Sequence, residues 1–140
     1  MARHDPLKAF NFRVEIDGLT ASFSEVSGLE SEVEAIDYRE GGEPLRVRKL
    51  PGLHRYANIV LKRGITRDLE LWSWHKQVLD GTVQRRNGSV VLLDDQGQEQ
   101  VRWNFVNSWP CKYIGPTLNA KGSDVAIETL ELTHEGLERV

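Results

Sequence analysis

Residues 10–18 read Phe-Asn-Phe-Arg-Val-Glu-Ile-Asp-Gly, and this stretch decides the fold class. Every second side chain is apolar and those between are polar, which is the period of a strand with one buried face. The stretch ends in Asp17-Gly18, a turn signal. We expect Arg13 and Glu15 to face polar surroundings. We expect the alternate side chains to face the protein interior: Phe10, Phe12, Val14 and Ile16.

Similar alternation along the rest of the chain predicts seven or eight strands in all. One helix is predicted from Arg67 to Asp80, with Thr66 as its N-cap and Gly81 in the usual stop position. Asn87-Gly88 predicts a hairpin turn, because both central residues of such a turn take positive φ, and 94–97 predicts another turn. The further strands are predicted at about 21–26, 33–38, 56–62, 82–86, 89–93, 101–105 and 125–134.

The order of these elements sets the fold class. Helices do not alternate with strands, which argues against a doubly wound parallel sheet. The predicted class is mainly β, a small antiparallel β-barrel or sandwich with one flanking α-helix. A length of 140 residues suits one domain with a real core, so we expect 1–140 to be a single domain.

Two elements do not fit a simple monomer. In the last strand Val125 and Ile127 point one way and Leu130 and Leu132 the other, which predicts a bulge or a strand whose faces meet different partners. The helix carries apolar residues on more than one side, including Trp72. That pattern predicts either a helix packed between its own sheet and a neighbour, or an indole lying flat on the surface.

Composition is that of a soluble globular protein. Hydrophobic residues make up 39% of the chain and charged residues 28%, and the formal net charge is -3. There is no global basic field for nucleic acid, and a single cysteine fits a reducing compartment. The polar N-terminus lacks the apolar stretch of a signal peptide, and no run is long enough to span a membrane. We therefore expect synthesis in the cytoplasm and no membrane anchoring.

The sequence contains no pattern for catalysis, cofactor binding or metal binding. The four histidines and the single Cys111 lack metal-site spacing, and no nucleotide-binding or hydrolase motif occurs. Asp94, Asp95 and Glu99 lack the ligand spacing of a calcium loop, which favours a solvated turn. Cys111 is expected to be a core or interface thiol. Tyr56 lies in the basic segment without an aromatic platform, which argues against sequence-specific nucleic-acid binding. We expect a protein that is not an enzyme.

A sharp step in charge crosses the first half of the chain. Residues 24–43 hold seven acids and one base, whereas residues 44–67 hold seven bases and no acid. One interpretation is two neighbouring antiparallel strands whose charges pair across a sheet. The other is a head-to-tail interface, in which the acidic patch of one subunit meets the basic patch of the next.

The segment 40–55 favours an interface. Its glycines and prolines predict a long irregular loop, and such loops are usually functional or mobile. The loop also carries leucines, which a solvated segment has no reason to hold. We predict an extended arm that packs on another subunit, with these interface residues: Leu45, Arg46, Val47, Arg48, Lys49, Leu50, Pro51, Leu53 and Arg55.

The order of several short motifs resembles the tail tube proteins of contractile phage tails, and the likeness covers nearly the whole chain. Type VI secretion tube proteins are similar in fold. The matching segments are Asp5–Leu7, Phe10–Gly18, Phe23–Leu29, Tyr38–Gly42, Lys49–Gly52, Leu61–Gly64, Leu71-Trp72, Arg102–Phe105 and Trp109-Pro110 near Tyr113.

The resemblance implies a structural function. It implies subunits that form hexameric rings, whose sheets merge into one lumen-lining barrel and which stack into a tube inside a contractile sheath. It also implies baseplate or hub proteins and tape-measure or cargo proteins as partners, in a phage tail or an extracellular injection particle that delivers DNA or protein. The segment 40–55 corresponds to an arm that contacts neighbours. The alternative from another class is a monomeric small-ligand-binding β-barrel, which would need a large pocket.

Overall fold

A computed structural model of the chain describes residues 5–42 and 45–140. Within them, the structure has nine strands and one helix, which confirms the mainly β fold class. The strands are β1 (Phe12–Ile16), β2 (Glu25–Ser27), β3 (Ser31–Tyr38), β4 (Arg48–Tyr56), β5 (Ile59–Gly64), β6 (Arg86–Leu93), β7 (Glu99–Ile114), β8 (Ile127–Thr133) and β9 (Gly136–Arg139), and the helix α1 is Glu70–Leu79.

Seven strands form one antiparallel sheet that folds over on itself. Its order is β1-β6-β7-β8-β5-β2, and β9 also pairs with β7. The first part of the 16-residue β7 pairs with β6 and β9, and the second part pairs with β8. Asn107 lies between the two parts with a positive φ of 53°. Since β1 and β2 end this order and do not pair, the fold is an open sandwich rather than a closed barrel.

One layer consists of β1, β6, β9 and the first part of β7, and the other consists of β2, β5, β8 and the second part of β7. The core lies between these two layers, and the helix covers it at one end. Arg86 lies at this end and contacts both the sheet and the helix. Its guanidinium donates to the carbonyl of Asp17 at 2.7 Å and lies 5.0 Å from the ring centroid of Trp74. The indole N–H of Trp74 donates to the carbonyl of Gln84 at 2.8 Å, which satisfies its polar atom. The buried cluster is Ile16, Ile59, Leu61, Leu71, Trp74, Val90, Phe105, Leu130 and Leu132.

The first predicted strand is shorter than expected. Arg13 and Glu15 are exposed and Ile16 is buried, as the alternation predicts. Phe10, however, is 73% exposed in the single chain. The amide of Leu93 donates to the carbonyl of Asn11, and β1 begins only at the next residue, so Phe10 lies beyond the layer that would cover it.

The predicted hairpin turn at Asn87-Gly88 is wrong, because β6 runs through it without a break. Gly88 lies opposite both Ile16 and Phe105. A Cβ atom on Gly88 would lie 2.4 Å from Cζ of Phe105, so the glycine is required for the approach of that ring rather than for a turn. The predicted turn at 94–97 is confirmed: Gly97 has a φ of 79°, and the Asp94 carboxylate accepts backbone N–H groups within it.

The helix begins later than predicted and its proposed cap is wrong. The Thr66 hydroxyl accepts the amide of Asp68 at 3.2 Å, and the Asp68 carboxylate accepts the amide of Glu70 at 2.9 Å. These contacts stabilise the turn before α1, which itself has no side-chain cap. The stop is confirmed, since Gly81 has a φ of 96° and its amide donates to the carbonyl of Val78.

The change of parity in the last strand comes from a buried charge and not from a bulge in β8. Register between β5 and β8 is continuous, and Glu128 takes an inward position beside Leu130 and Leu132. Arg63 donates to Glu128 Oε1 at 2.5 Å, and the Tyr113 hydroxyl donates to Oε2 at 2.6 Å. Burial, and then this hydrogen bond, raise the pKa of Tyr113 to about 12.

Candidate assembly surface

Strands β3 and β4 form a separate two-stranded sheet, which we call the β3–β4 hairpin. The two strands pair with each other and not with the sandwich. Every residue of β3 is exposed, and most of β4 is exposed as well. An isolated two-stranded hairpin is marginally stable in water unless it packs against something else. Among the described residues, the hairpin contacts the sandwich at its base, where the ring of Tyr56 lies 5.6 Å from that of His134, and the rest of it pairs with no strand of the sandwich.

The predicted boundaries and shape of the arm need correction. The segment 40–55 is not an irregular loop throughout, because Arg48–Tyr56 forms β4 and pairs with Ser31–Tyr38. The register shifts between Val33 and Ala35, opposite Pro51 and the residues after it, and a bulge in an edge strand is where a proline is tolerated. Sequence reasoning identified the strand at 33–38 but missed that it is half of the same projecting element. Glu43 and Pro44 lie outside the described residues.

All nine predicted interface residues lie on β4 or on the described part of the turn before it, and all are exposed. Leu45 is 97% exposed and Leu53 is 69% exposed. The structure contains one chain, so their role at an interface remains a prediction. The exposed set is Leu45, Arg46, Val47, Arg48, Lys49, Leu50, Pro51, Leu53 and Arg55.

Both faces of the hairpin carry apolar side chains. Ile36 pairs with Leu50 on one face, and Val33 pairs with His54 on the other. Side chains of a strand alternate between faces, so a hairpin with one buried face would concentrate its apolar residues on that side. Here both of these apolar pairs include exposed side chains. Such an element is suited to lie between two surfaces supplied by other molecules.

The charge step is largely paired within this chain, as the interpretation of neighbouring antiparallel strands predicts. Lys49 contacts Asp37, Arg48 lies 3.8 Å from Glu40, and Arg55 lies 3.9 Å from Glu34. A fourth pair joins Lys62 of β5 to Glu25 of β2 at 3.2 Å. These pairs are exposed and each contributes about 0–1 kcal/mol. The step in charge therefore gives no separate support to a head-to-tail interface.

The chain exposes more surface than a compact monomer of its mass. Its accessible surface is 10013 Å². A folded monomer of 15.9 kDa is expected to expose about 7,350 Å². The excess of about 2,700 Å² is roughly three times what one partner contributes to a standard protein interface. An excess of this size is large enough for more than one interface with other molecules.

The helix has a second apolar side that its own sheet leaves uncovered. Leu71 and Trp74 are buried in the core, whereas Leu69 and Leu79 are each more than 60% exposed. The Trp72 ring lies edge-on against Tyr113 at 5.2 Å and remains 38% exposed. The helix therefore offers an apolar strip to a neighbour, and its indole is only partly covered.

The described residues give little indication of a catalytic or metal-binding site. No group of three or more potential metal ligands occurs among residues 5–42 and 45–140. Cys111 lies at a bulge in β7 and is exposed in the single chain. The part of the thiol that the protein does cover, and the nearby Glu131, raise the pKa of Cys111, which disfavours the thiolate that a nucleophile needs. None of the described helices is long and apolar enough to span a bilayer.

Comparison with known proteins gives the family. The family described as T4-like virus tail tube protein gp19 matches residues 8–138. The chain belongs to this tail tube family. The predicted family is thus confirmed, and the chain is a tail tube protein. No curated protein sequence matches significantly.

Solved structures agree with this assignment to the tail tube family. A chain of the sheath-tube complex of the PVC extracellular contractile injection system, in its extended state, is 26% identical with a TM-score of 0.88, covering 96% of this chain and 91% of that one. A chain of the anti-feeding prophage baseplate is 25% identical with a TM-score of 0.90, covering 99% and 97%. Hcp1 from Flavobacterium johnsoniae, at 16% identity and a TM-score of 0.58 over 93% and 94%, shares the fold alone.

Proposed function

We propose that identical copies of this tail tube protein form hexameric rings, and that the rings stack into the hollow tube of a contractile injection apparatus. The tube is the conduit for cargo or DNA, and the role is structural and not enzymatic. The β3–β4 hairpin supports this most directly, because among the described residues it is a formed, largely exposed element that pairs with no strand of the sandwich.

Two further features support assembly in a ring. The edges of β1 and β2 are unpaired within the described chain. Unpaired edges invite further pairing, and a closed ring of subunits removes them. The excess accessible surface is also large enough for more than one interface per subunit. Interfaces on opposite sides of a subunit produce rings when the rotation closes.

The proposed partners follow from the similar structures. A sheath protein surrounds the tube, a baseplate or hub protein begins it, and tape-measure or cargo proteins occupy it. The similarity to chains of a sheath-tube complex and of a baseplate supports the first two. On this proposal the protein is made in the cytoplasm and ends in a phage tail or an extracellular injection particle.

The monomeric ligand-binding barrel has no structural support. The space between the two layers is filled by fully buried side chains, including Phe105 and Trp74. One groove among the described residues, of about 620 Å³, is an open surface feature lined largely by the loop from Gly115 to Ala126.

Removal of the hairpin tests the proposal. The purified full-length chain should form rings or hollow tubes of one diameter by negative-stain microscopy. Replacing 32–55 with a short Gly-Ser turn should leave the sandwich folded by circular dichroism but monomeric by sedimentation, because the hairpin pairs with no other strand. A control outside the hairpin exchanges an exposed ion pair of α1, Lys76→Asp with Asp80→Lys, and should still assemble. A full-length chain that stays monomeric at high concentration, or normal tubes without the hairpin, would refute the proposal.

A further inference from the structure

An apolar groove lies at the end of the sandwich opposite α1. Phe12 and Leu92 form the first register pair of β1 and β6, whereas the helix covers the other end, beyond Ile16 and Gly88. The groove has a volume of about 250 Å³ and exposes mainly apolar atoms. It is lined by Leu7, Ala9, Phe12, Val26, Leu29, Val90, Leu92 and Trp103.

An acidic pocket adjoins this groove and shares Leu7 with it. It has a volume of about 280 Å³, and its lining includes two acids, Asp94 and Asp95, and one base, Lys8. Lys8 lies 3.6 Å from Asp95. The carboxylate of Asp94 accepts hydrogen bonds from its own turn, which keeps it fixed at the rim. The pocket therefore keeps a net negative charge beside the apolar groove.

These two neighbouring surfaces specify the chemistry of an occupant. An apolar cavity of about 150 Å³ accepts a benzene-sized group, so a groove of about 250 Å³ has room for one large aliphatic side chain with its backbone. A base next to that side chain would meet the acidic pocket. The occupant is an exposed aliphatic residue followed or preceded by Lys or Arg.

The turn of the β3–β4 hairpin carries that pair in Leu45-Arg46. Leu45 is 97% exposed, the most exposed of the large apolar side chains described, and Arg46 is exposed beside it. No acid among the described residues forms an ion pair with Arg46. Strands of 8 and 9 residues hold this turn at one end of the hairpin. At about 3.3 Å per residue they extend it by roughly 25 Å.

We propose that Leu45-Arg46 of one copy docks in the open sandwich end of a neighbouring copy, with Leu45 in the apolar groove and Arg46 at the acidic pocket. The inference rests on the proposed function. The nearly complete exposure of Leu45 shows that it does not occupy the groove of its own chain. Leu45 would act as an anchor residue, and Arg46 would fix its register by charge complementarity.

A cysteine pair tests the contact directly. In a Cys111→Ser background, Leu45→Cys is combined with Ala9→Cys, which lines the groove, is exposed and changes little in volume. A disulfide requires Cα atoms within about 7 Å, so mild oxidation of assembled particles should give a covalent ladder on a non-reducing gel. The matched control is Leu53→Cys with Ala9→Cys, since Leu53 is also apolar and exposed but lies further along β4.

A charge exchange gives an independent reading. Arg46→Glu and Asp95→Arg should each raise the critical concentration for assembly by about tenfold or more, and the combined variant should recover most of that loss. Tubes that form without cross-linking at 45 and 9, or that cross-link equally at 53 and 9, would overturn the docking site while leaving the tube intact. Absence of tubes from the wild-type chain would overturn the proposed function itself.

Discussion

The buried ion pair between Arg63 and Glu128 offers the sharpest test of the fold. Arg63 is 7% exposed and Glu128 is 3% exposed. Glu128→Gln removes the negative charge and keeps nearly the same shape. Among the described residues, the guanidinium that remains is buried, its Nη2 has no hydrogen-bond partner, and the one other acid near it is Asp68, at 3.6 Å. Leaving a buried charge uncompensated costs about 3–5 kcal/mol.

The expected loss lies near the lower end of that range, because Asp68 still compensates part of the charge. A loss of about 3 kcal/mol is a large fraction of the 5–15 kcal/mol that stabilises a typical domain. With a urea m-value of about 2 kcal/mol/M, the unfolding midpoint should fall by about 1.5 M without a change in m. Equilibrium urea unfolding followed by tryptophan fluorescence measures this.

Two variants control for other effects of the substitution. Glu25→Gln removes one partner of an exposed ion pair with Lys62, and should cost less than about 1 kcal/mol. The triple variant Arg63→Leu, Glu128→Leu and Tyr113→Phe should be much less destabilised than Glu128→Gln, since it removes both charges and the hydroxyl that donates to Glu128. If Glu128→Gln costs no more than Glu25→Gln, the reasoning about the buried charge is refuted.

Three more outcomes are expected. Gly88→Ala should cost about 1–3 kcal/mol by overpacking against Phe105, whereas Gly41→Ala, with no atom within 4 Å of the added Cβ, should change the unfolding free energy by less than about 0.5 kcal/mol; equal effects in chemical denaturation would contradict this. Because burial and the bond to Glu128 raise the pKa of Tyr113 to about 12, stability that depends on its protonated hydroxyl is present below pH 10 and lost as the pH rises toward 12; the ultraviolet titration difference between wild type and Tyr113→Phe should place that ionisation near pH 12, and a value near 10 would contradict both the burial of this hydroxyl and its bond to Glu128. Amides of the β3–β4 hairpin should exchange with deuterium within seconds in the free subunit and far more slowly in assembled tubes; rapid exchange in the assembled state would exclude the hairpin from the interface.

Where the sequence predicted correctly, the cause of the structure was local. The alternation around Val14 produces β1, and Gly81 ends the helix because the residue there adopts a positive φ. The turn at Gly97 follows from its own conformation and from the adjacent Asp94 carboxylate. Each signal lies within a few residues of its effect, so a single sequence suffices to identify it.

Two departures from the sequence pattern have a common cause in distant contacts. Asn87-Gly88 has the composition of a tight turn, yet Phe105, from the neighbouring strand, occupies the space that a side chain at Gly88 would need. Glu128 breaks the apolar pattern of β8, and the group that neutralises it is Arg63, 65 residues away. Thr66 is of a residue type that caps helices, but its hydroxyl accepts the amide of Asp68, in the turn before the helix begins at Glu70.

The candidate assembly surface shows the same division. The sequence alone identified exposed leucines among arginines at 45–55, and it established the tail tube resemblance through the order of its motifs. Only the tertiary structure decided that β3 belongs to the same projecting hairpin, that the step in charge is paired inside the chain, and that an apolar groove opens at the end opposite the helix. Periodicity and turn conformation depend on neighbouring residues, whereas packing and charge pairing depend on groups that the fold brings together from far along the chain.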